Sequence, residues 1–190
     1  MEIFKEMGSL ALSEISLNQF YGIELDDFAH EIAILALWLT KHQMNVEFFK
    51  EFGRTNPTLP LTDTGNIVQG NACRLNWEEV CPKNENDEIY ILGNPPYSIG
   101  QKSSNDSNMN VAYEDLDNRV KETYGRLSAA ANKRALFDSY IRAFRWASDR
   151  ISDRGIVAFV SNGGWLDAKS TDGFRKALAE EFSDIYVLNL

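Results

Sequence analysis

A run of strand-forming residues, Glu88-Ile89-Tyr90-Ile91-Leu92, stops abruptly at Gly93-Asn94-Pro95-Pro96-Tyr97. Proline has no amide hydrogen to give to a central ladder, so residues 94–97 must lie beyond the strand's end. The junction therefore predicts a sheet with a stiff, polar, aromatic turn at one strand terminus. The rest of the chain alternates in the same manner. Residues 20–25 read as a short strand, and a helix is expected over 27–43, with Asp26 and Asp27 placed to cap it. Its Phe28, Ile32, Leu35 and Leu39 stripe should pack on a sheet, with Ala29, Ala33 and Ala36 allowing close approach. Residues 47–61 look like a connection, and 66–69 like a weak strand. Residues 155–160 form the clearest buried strand, preceded by a helix expected over 135–151 and followed by one from Thr171-Asp172. Residues 184–190 close with a strand. A short helix is expected over 3–12. The segment 98–131 is the least regular, with a short helix expected within 113–127; a loop of this length is usually functional or mobile.

Strands alternating with helices predict an open α/β sheet, in which functional loops gather outside the carboxyl ends of the strands. Glu24, Asn71, the tetrapeptide 94–97 and Ser161-Asn162-Gly163-Gly164-Trp165 all fall at such ends. Any one of them alone is also what an ordinary strand end looks like, since Gly and Asn punctuate strands everywhere. An acidic residue after an early strand can accept hydrogen bonds from both ribose hydroxyls, which Glu24 is placed to do. A carboxamide acceptor at Asn94 and a nearby main-chain carbonyl could take both hydrogens of an exocyclic amine, with the Tyr97 ring under the base. The alternative is a rigid turn with a surface tyrosine.

Composition excludes several classes. The 190 residues are 44% hydrophobic and 25% charged, which suits one globular domain and not a disordered chain. Nothing approaches the ~20 apolar residues of a spanning helix, and no secretory signal is recognisable near Met1, so a cytoplasmic protein without a membrane role is expected. Cys73 and Cys81 lack metal-ligand or scaffold spacing, and His30 and His42 lack a matching carboxylate, so no metal site is expected. The net charge of -9 runs against a chain that grips a duplex by itself. Trp38, Phe144 and Trp146 read as packing residues. Arg142, Arg145 and Arg150 could form a basic stripe, interrupted by Asp138 and Asp149. No G-x-G-x-x-G follows a strand, which disfavours a dinucleotide-binding dehydrogenase.

Asn94-Pro95-Pro96-Tyr97 in this context resembles the catalytic motif of DNA methyltransferases acting on adenine N6. The stretches FYGIELDDFAHEIAILALWL (20–39), NIVQGNA (66–72) and ALFDSYIRAFRWASDRISDRGIVAFVSNGGWL (135–166) resemble the methyltransferase domains of large restriction–modification enzymes. Of these, the single-chain type is most similar, joining nuclease, methyltransferase and target-recognition parts, sometimes with a helicase. The resemblance covers most of residues 19–190. It implies a Rossmann-like S-adenosylmethionine-dependent α/β sheet, and an N6-adenine methyltransferase of a restriction–modification system. It further implies that Glu24 binds the cofactor ribose, Leu25 lines the adenine pocket, and Asn71 bonds the adenine edge beside Ala72. Phe137 would wall the cofactor. Asn94 and the Pro95 carbonyl would hold the target amine, Pro96 would stiffen the turn, and Tyr97 would stack on the flipped base. Neither cysteine nor a metal takes part.

The family's glycine-rich loop finds no match in residues 1–18, so this sheet is expected to be incomplete, lacking the first strand with that loop and the last strand. On that reading the chain is a partial catalytic domain over 1–190. Double-stranded DNA with a flipped adenine would then be its partner mainly through regions outside it, and self-association or a complementary chain would supply the missing parts. A fragment that only folds or associates, and an N-methyltransferase acting on protein glutamine or RNA, are the alternatives.

Overall fold

A computed structural model describes residues 15–53, 66–97, 112–151 and 153–188. The chain divides into two compact units, Met1–Lys83 and Asn84–Leu190. The expected helix over 3–12 and the segment 98–111 lie outside the described residues.

The first unit is a β-α-β element. Strand β1 (Tyr21–Glu24) pairs in parallel with β2 (Asn66–Gln69), with Glu24 opposite Gln69. Parallel strands need a crossover, and helix α1 (Asp27–Phe52) provides it. The Asp26 side chain caps α1 by accepting from the Ala29 amide at 2.9 Å. The helix runs well past the expected stop near Gln43, taking in much of the expected connection. It ends at Gly53, whose φ of 65° is left-handed and whose amide closes on the Phe49 carbonyl. The predicted stripe is a second correction. Phe28, Ile32, Leu35 and Leu39 are all exposed, Phe28 by 74%. The half-buried residues are instead Ala29, His30, Ala33, Ile34, Leu37, Trp38, Lys41, Asn45, Phe48 and Phe52. Apolar residues occur around the whole circumference of this helix, so spacing could not tell which face meets the strands. A short helix, α2 (Trp77–Val80), follows β2 and is capped by Asn76.

The second unit holds the core. Strand β3 (Ile89–Gly93) pairs in parallel with β4 (Gly155–Phe159), Gly93 lying opposite Phe159. Between them come α3 (Glu114–Val120), which widens into one π-helical turn at Lys121–Gly125, and α4 (Ser139–Arg150). The helix expected over 135–151 is broken. Arg134–Phe137 is a separate 3-10 turn, and Asp138 is extended with φ -65° and ψ 145°. Helix α5 (Asp172–Glu181) begins where Thr171-Asp172 signalled, with Phe174 and Leu178 buried. Residues 184–188 are not assigned to a strand, contrary to expectation.

The core contains Val120, Tyr124, Leu136, Tyr140, Ile141, Trp165, Phe174, Ala177 and Leu178. Phe144 links it to the sheet, its ring lying 5.0 Å from Phe159 and 5.2 Å from Phe174. Aromatic side chains supply this core because each removes a large apolar area from water in tilted or edge-to-face pairs. The anticipated basic stripe on α4 is another correction, for Arg142, Arg145 and Arg150 are all buried. Arg142 forks onto Asp117 at 2.7 and 3.0 Å, and Arg145 bonds Glu181 at 2.6 Å and Asp149 at 2.9 Å. The acidic partners that these two arginines require come mostly from other elements. Strand β4, expected to be the clearest buried strand, is only half-buried at Val157 and Phe159, and Ile156 and the adjoining Val160 are exposed.

The described elements are thus α/β with parallel strands, arranged in two separate pairs. They fit part of a Rossmann-like methyltransferase sheet.

Candidate functional site

In the first unit, Glu24 is the last residue of β1, and the chain leaving β2 runs beside it. The Gly70 amide donates to the Glu24 carbonyl at 2.8 Å, which places Asn71 close to the Glu24 end of the sheet. Glu24 and Leu25 are exposed, whereas Asn71 and Ala72 are half-buried. The Asn71 carboxamide oxygen accepts from the Cys73 amide at 2.9 Å, and the Ala72 carbonyl accepts from the Trp77 indole at 2.9 Å. These bonds fold the segment after β2 into a fixed turn, as Asn does when it mimics a backbone turn. The exposed Glu24 carboxylate at the end of β1, and the Asn71 and Ala72 side chains after β2, are groups of the kinds that can meet ribose hydroxyls and an adenine.

In the second unit, the tetrapeptide leaves β3 at its carboxyl end, where the Val160 amide donates to the Gly93 carbonyl at 3.0 Å. Asn94 is exposed and Pro95 buried, so the turn is anchored by a proline while the carboxamide faces outward. Tyr97 is packed against the core, its ring centroid 5.9 Å from Tyr140 with the planes at 68°. Phe137 packs against the same core, with the Arg142 guanidinium 5.9 Å over its ring and 5.3 Å over that of Tyr113. The loop after β4 is anchored by packing at Trp165, while residues 162–164 are exposed. Trp165 is buried, its indole donating to Ser161 at 3.3 Å, and Asn162 caps the Gly163–Trp165 turn by accepting from Gly164.

The structure therefore brings Glu24, Leu25, Asn71 and Ala72 to one sheet end, and Asn94 to Tyr97 with Phe137 around one core. Tyr140 and Asp138, both buried, were not expected as site residues. Tyr140 reads from the sequence as a packing residue and Asp138 as an interruption of the basic stripe, and only the contact with Tyr97 sets Tyr140 apart. Burial, Asp138 and Tyr97 together push the Tyr140 phenol up to about 12. Among the described residues no group of His, Cys, Asp and Glu could hold a metal ion, and no helix is long and apolar enough to cross a membrane. His30 bonds the Ile67 carbonyl at 3.2 Å.

The chain has counterparts among known proteins. The family described as MmeI, DNA-methyltransferase domain, matches residues 1–163. The chain belongs to this family. The match reaches back to residue 1, further than the segments noted in the sequence. A protein named DNA methyltransferase A, from Bacillus subtilis (strain 168), is 48% identical over 97 residues, 50% of this chain and 11% of that protein. The cryoEM structure of the DrdV–DNA complex is 32% identical with a TM-score of 0.59, covering 84% of this chain and 16% of that one. A nuclease-deletion mutant of the Type ISP restriction-modification enzyme LlaGI, in complex with a DNA substrate mimic, is 28% identical. Its TM-score is 0.64, and 95% of this chain and 17% of that chain are covered. The chain thus spans less than a fifth of each of these relatives. Membership of the MmeI methyltransferase family implies S-adenosylmethionine as the methyl donor.

Proposed function

We propose that the chain is the part of a site-specific DNA methyltransferase that methylates the N6 amine of adenine, within a restriction–modification system. The observation that carries this reading is Asn94, exposed at the carboxyl end of β3 on a turn anchored by buried Pro95, in a chain of the MmeI methyltransferase family. DNA is the proposed partner, in keeping with the DNA-bound relatives. The net charge of -9 supports a reading in which most phosphate contacts come from regions other than this chain. We further propose that the two strand pairs are part of a Rossmann-like sheet whose glycine-rich loop and first strand are not among the four described strands.

In this reading the Glu24 carboxylate accepts from the ribose hydroxyls of S-adenosylmethionine, while Leu25, Asn71 and Ala72 receive its adenine; a cofactor-walling role for Phe137 rests on the sequence resemblance alone. Asn94 Oδ1 and the Pro95 carbonyl accept the two hydrogens of the target amine. Holding both hydrogens in this way turns the nitrogen lone pair outward and disfavours its conjugation with the ring. Pro96 keeps the acceptors in place, and Tyr97 receives the flipped base by stacking. When bound, S-adenosylmethionine would supply an electrophilic sulfonium methyl; Asn94 and the Pro95 carbonyl would hold N6 for its displacement, with the thioether S-adenosylhomocysteine as leaving group and the amine proton passing to solvent. Neither Cys73 nor Cys81 is needed, because the nitrogen is itself the nucleophile.

The test is transfer of labelled methyl from S-adenosylmethionine to duplex DNA, with the modified base identified by mass spectrometry. Asn94→Ala should lower the rate about 100-fold or more, the scale of losing one preorganised polar group. Methylcytosine as product, or an Asn94→Ala variant as fast as the parent, would overturn the assignment.

A further inference from the structure

We propose that Tyr140 is a positioning residue that sets the plane of the Tyr97 ring, an inference that rests on Tyr97 being the base-stacking side chain. Residues 94–97 belong to no helix or strand, so no regular ladder orients Tyr97. Proline fixes its own φ and restrains the residue before it, yet leaves the side-chain torsions of a following tyrosine free. Orientation must therefore come from packing, and the ring that Tyr97 meets is Tyr140. Their centroids lie 5.9 Å apart with planes at 68°, the edge arrangement that aromatic pairs favour.

Tyr140 is itself held firmly. It lies in the first turn of α4, is 5% exposed, and belongs to the same buried cluster as Leu136 and Ile141. Burial, then the Asp138 carboxylate and the Tyr97 hydroxyl, raise its phenol further above the ordinary tyrosine value, so the ring stays neutral well into the alkaline range. The result is a fixed, neutral aromatic edge against a ring on an irregular turn. Holding that ring before a base arrives removes an ordering cost that stacking would otherwise bear. Loss of Tyr140 should therefore act on turnover and not on cofactor affinity.

The experiment places fluorotyrosine at position 97 of the 190-residue chain and follows its fluorine resonance in the parent, Tyr140→Phe and Tyr140→Leu. A nuclear Overhauser contact between the Tyr97 fluorine and the Tyr140 ring protons is expected in the parent. The resonance should keep its position in Tyr140→Phe, but shift and narrow in Tyr140→Leu. In methyl transfer, Tyr140→Phe should stay within about twofold of the parent, while Tyr140→Leu loses about 10-fold in kcat with KM for S-adenosylmethionine unchanged. An absent Overhauser contact, an unmoved resonance in Tyr140→Leu, or failure of phenylalanine to restore kcat overturns the proposal. Should Tyr140→Leu not fold, the contact in the parent and the Tyr140→Phe resonance still decide it. Methyl transfer left unchanged by Tyr97→Leu would instead defeat the reading of Tyr97, while the fluorine signal continues to report on ring placement.

Discussion

Glu24 contributes its carbonyl to the fold, through the Gly70 amide, while its exposed side chain is available to a ligand. Glu24→Ala should therefore leave thermal stability unchanged while weakening S-adenosylmethionine binding about 10-fold, near the ~1.5 kcal/mol of one hydrogen bond to a charged group. Titration calorimetry checks this, and equal affinity in the two proteins would remove Glu24 from the site. Both Glu24 and Asn94 were legible in the sequence because each is announced by its immediate neighbours, a strand before and a turn after. Asp172 was legible only as the start of a helix. Its carboxylate accepts from the Ser128 hydroxyl at 2.5 Å, the Ala129 amide at 2.9 Å and Lys176, which together hold its pKa well below the usual carboxylate range. A depressed folded pKa means stability that is present above the unfolded value, about 4, and is lost as pH falls toward the folded one. Ser128→Ala removes the largest of these contributions, so the acid unfolding midpoint should move to higher pH. An unchanged midpoint, followed by circular dichroism, would show that Asp172 is not held in this way.

At the scale of elements, Arg142 decides how α3 sits on α4. Its guanidinium is buried between Tyr113 and Phe137 and forks onto Asp117. Asp117→Ala leaves that charge buried without its carboxylate, which typically costs about 3–5 kcal/mol. Urea unfolding monitored by tryptophan fluorescence measures the loss, and a change below about 1 kcal/mol would place the pair with weak surface bridges. A second close approach brings α5 onto the widened turn after α3, where a Cβ added at Gly173 would fall on the Tyr124 carbonyl. Gly173→Ala should cost about 1–3 kcal/mol, the usual range for overpacking, in the same assay. The sequence showed that helices occupy these regions, because capping residues and apolar spacing are local. It did not show the break at Asp138, where a continuous apolar pattern hid an extended residue. Nor did it show that three arginines in a row of helical turns face inward, since two of them meet acidic partners about 25 and 36 residues away.

Over the whole molecule, two parallel strand pairs each present apolar side chains to solvent. Leu92 is 77% exposed on β3, beside Tyr90, Ile156 and Val160, and Phe28 and Leu35 stand out from α1. Parallel sheets are ordinarily covered on both faces, so this surface should bind an apolar dye such as anilinonaphthalene sulfonate. Leu92→Lys should reduce dye fluorescence without lowering the thermal midpoint, because that side chain makes little buried contact. Unchanged fluorescence would move the dye site elsewhere. The sequence by itself determined the order of strands and helices, the four strand ends at which chemistry could gather, and the family to which Asn94-Pro95-Pro96-Tyr97 points. These are properties of neighbouring residues, set by torsional preference, capping and the donor that proline lacks. Only the tertiary structure decided which face of α1 meets the strands, which residues of each strand-end loop are anchored by burial, and which ring lies against Tyr97. Those outcomes depend on what each side chain meets across the fold, and sequence spacing carries no record of that partner.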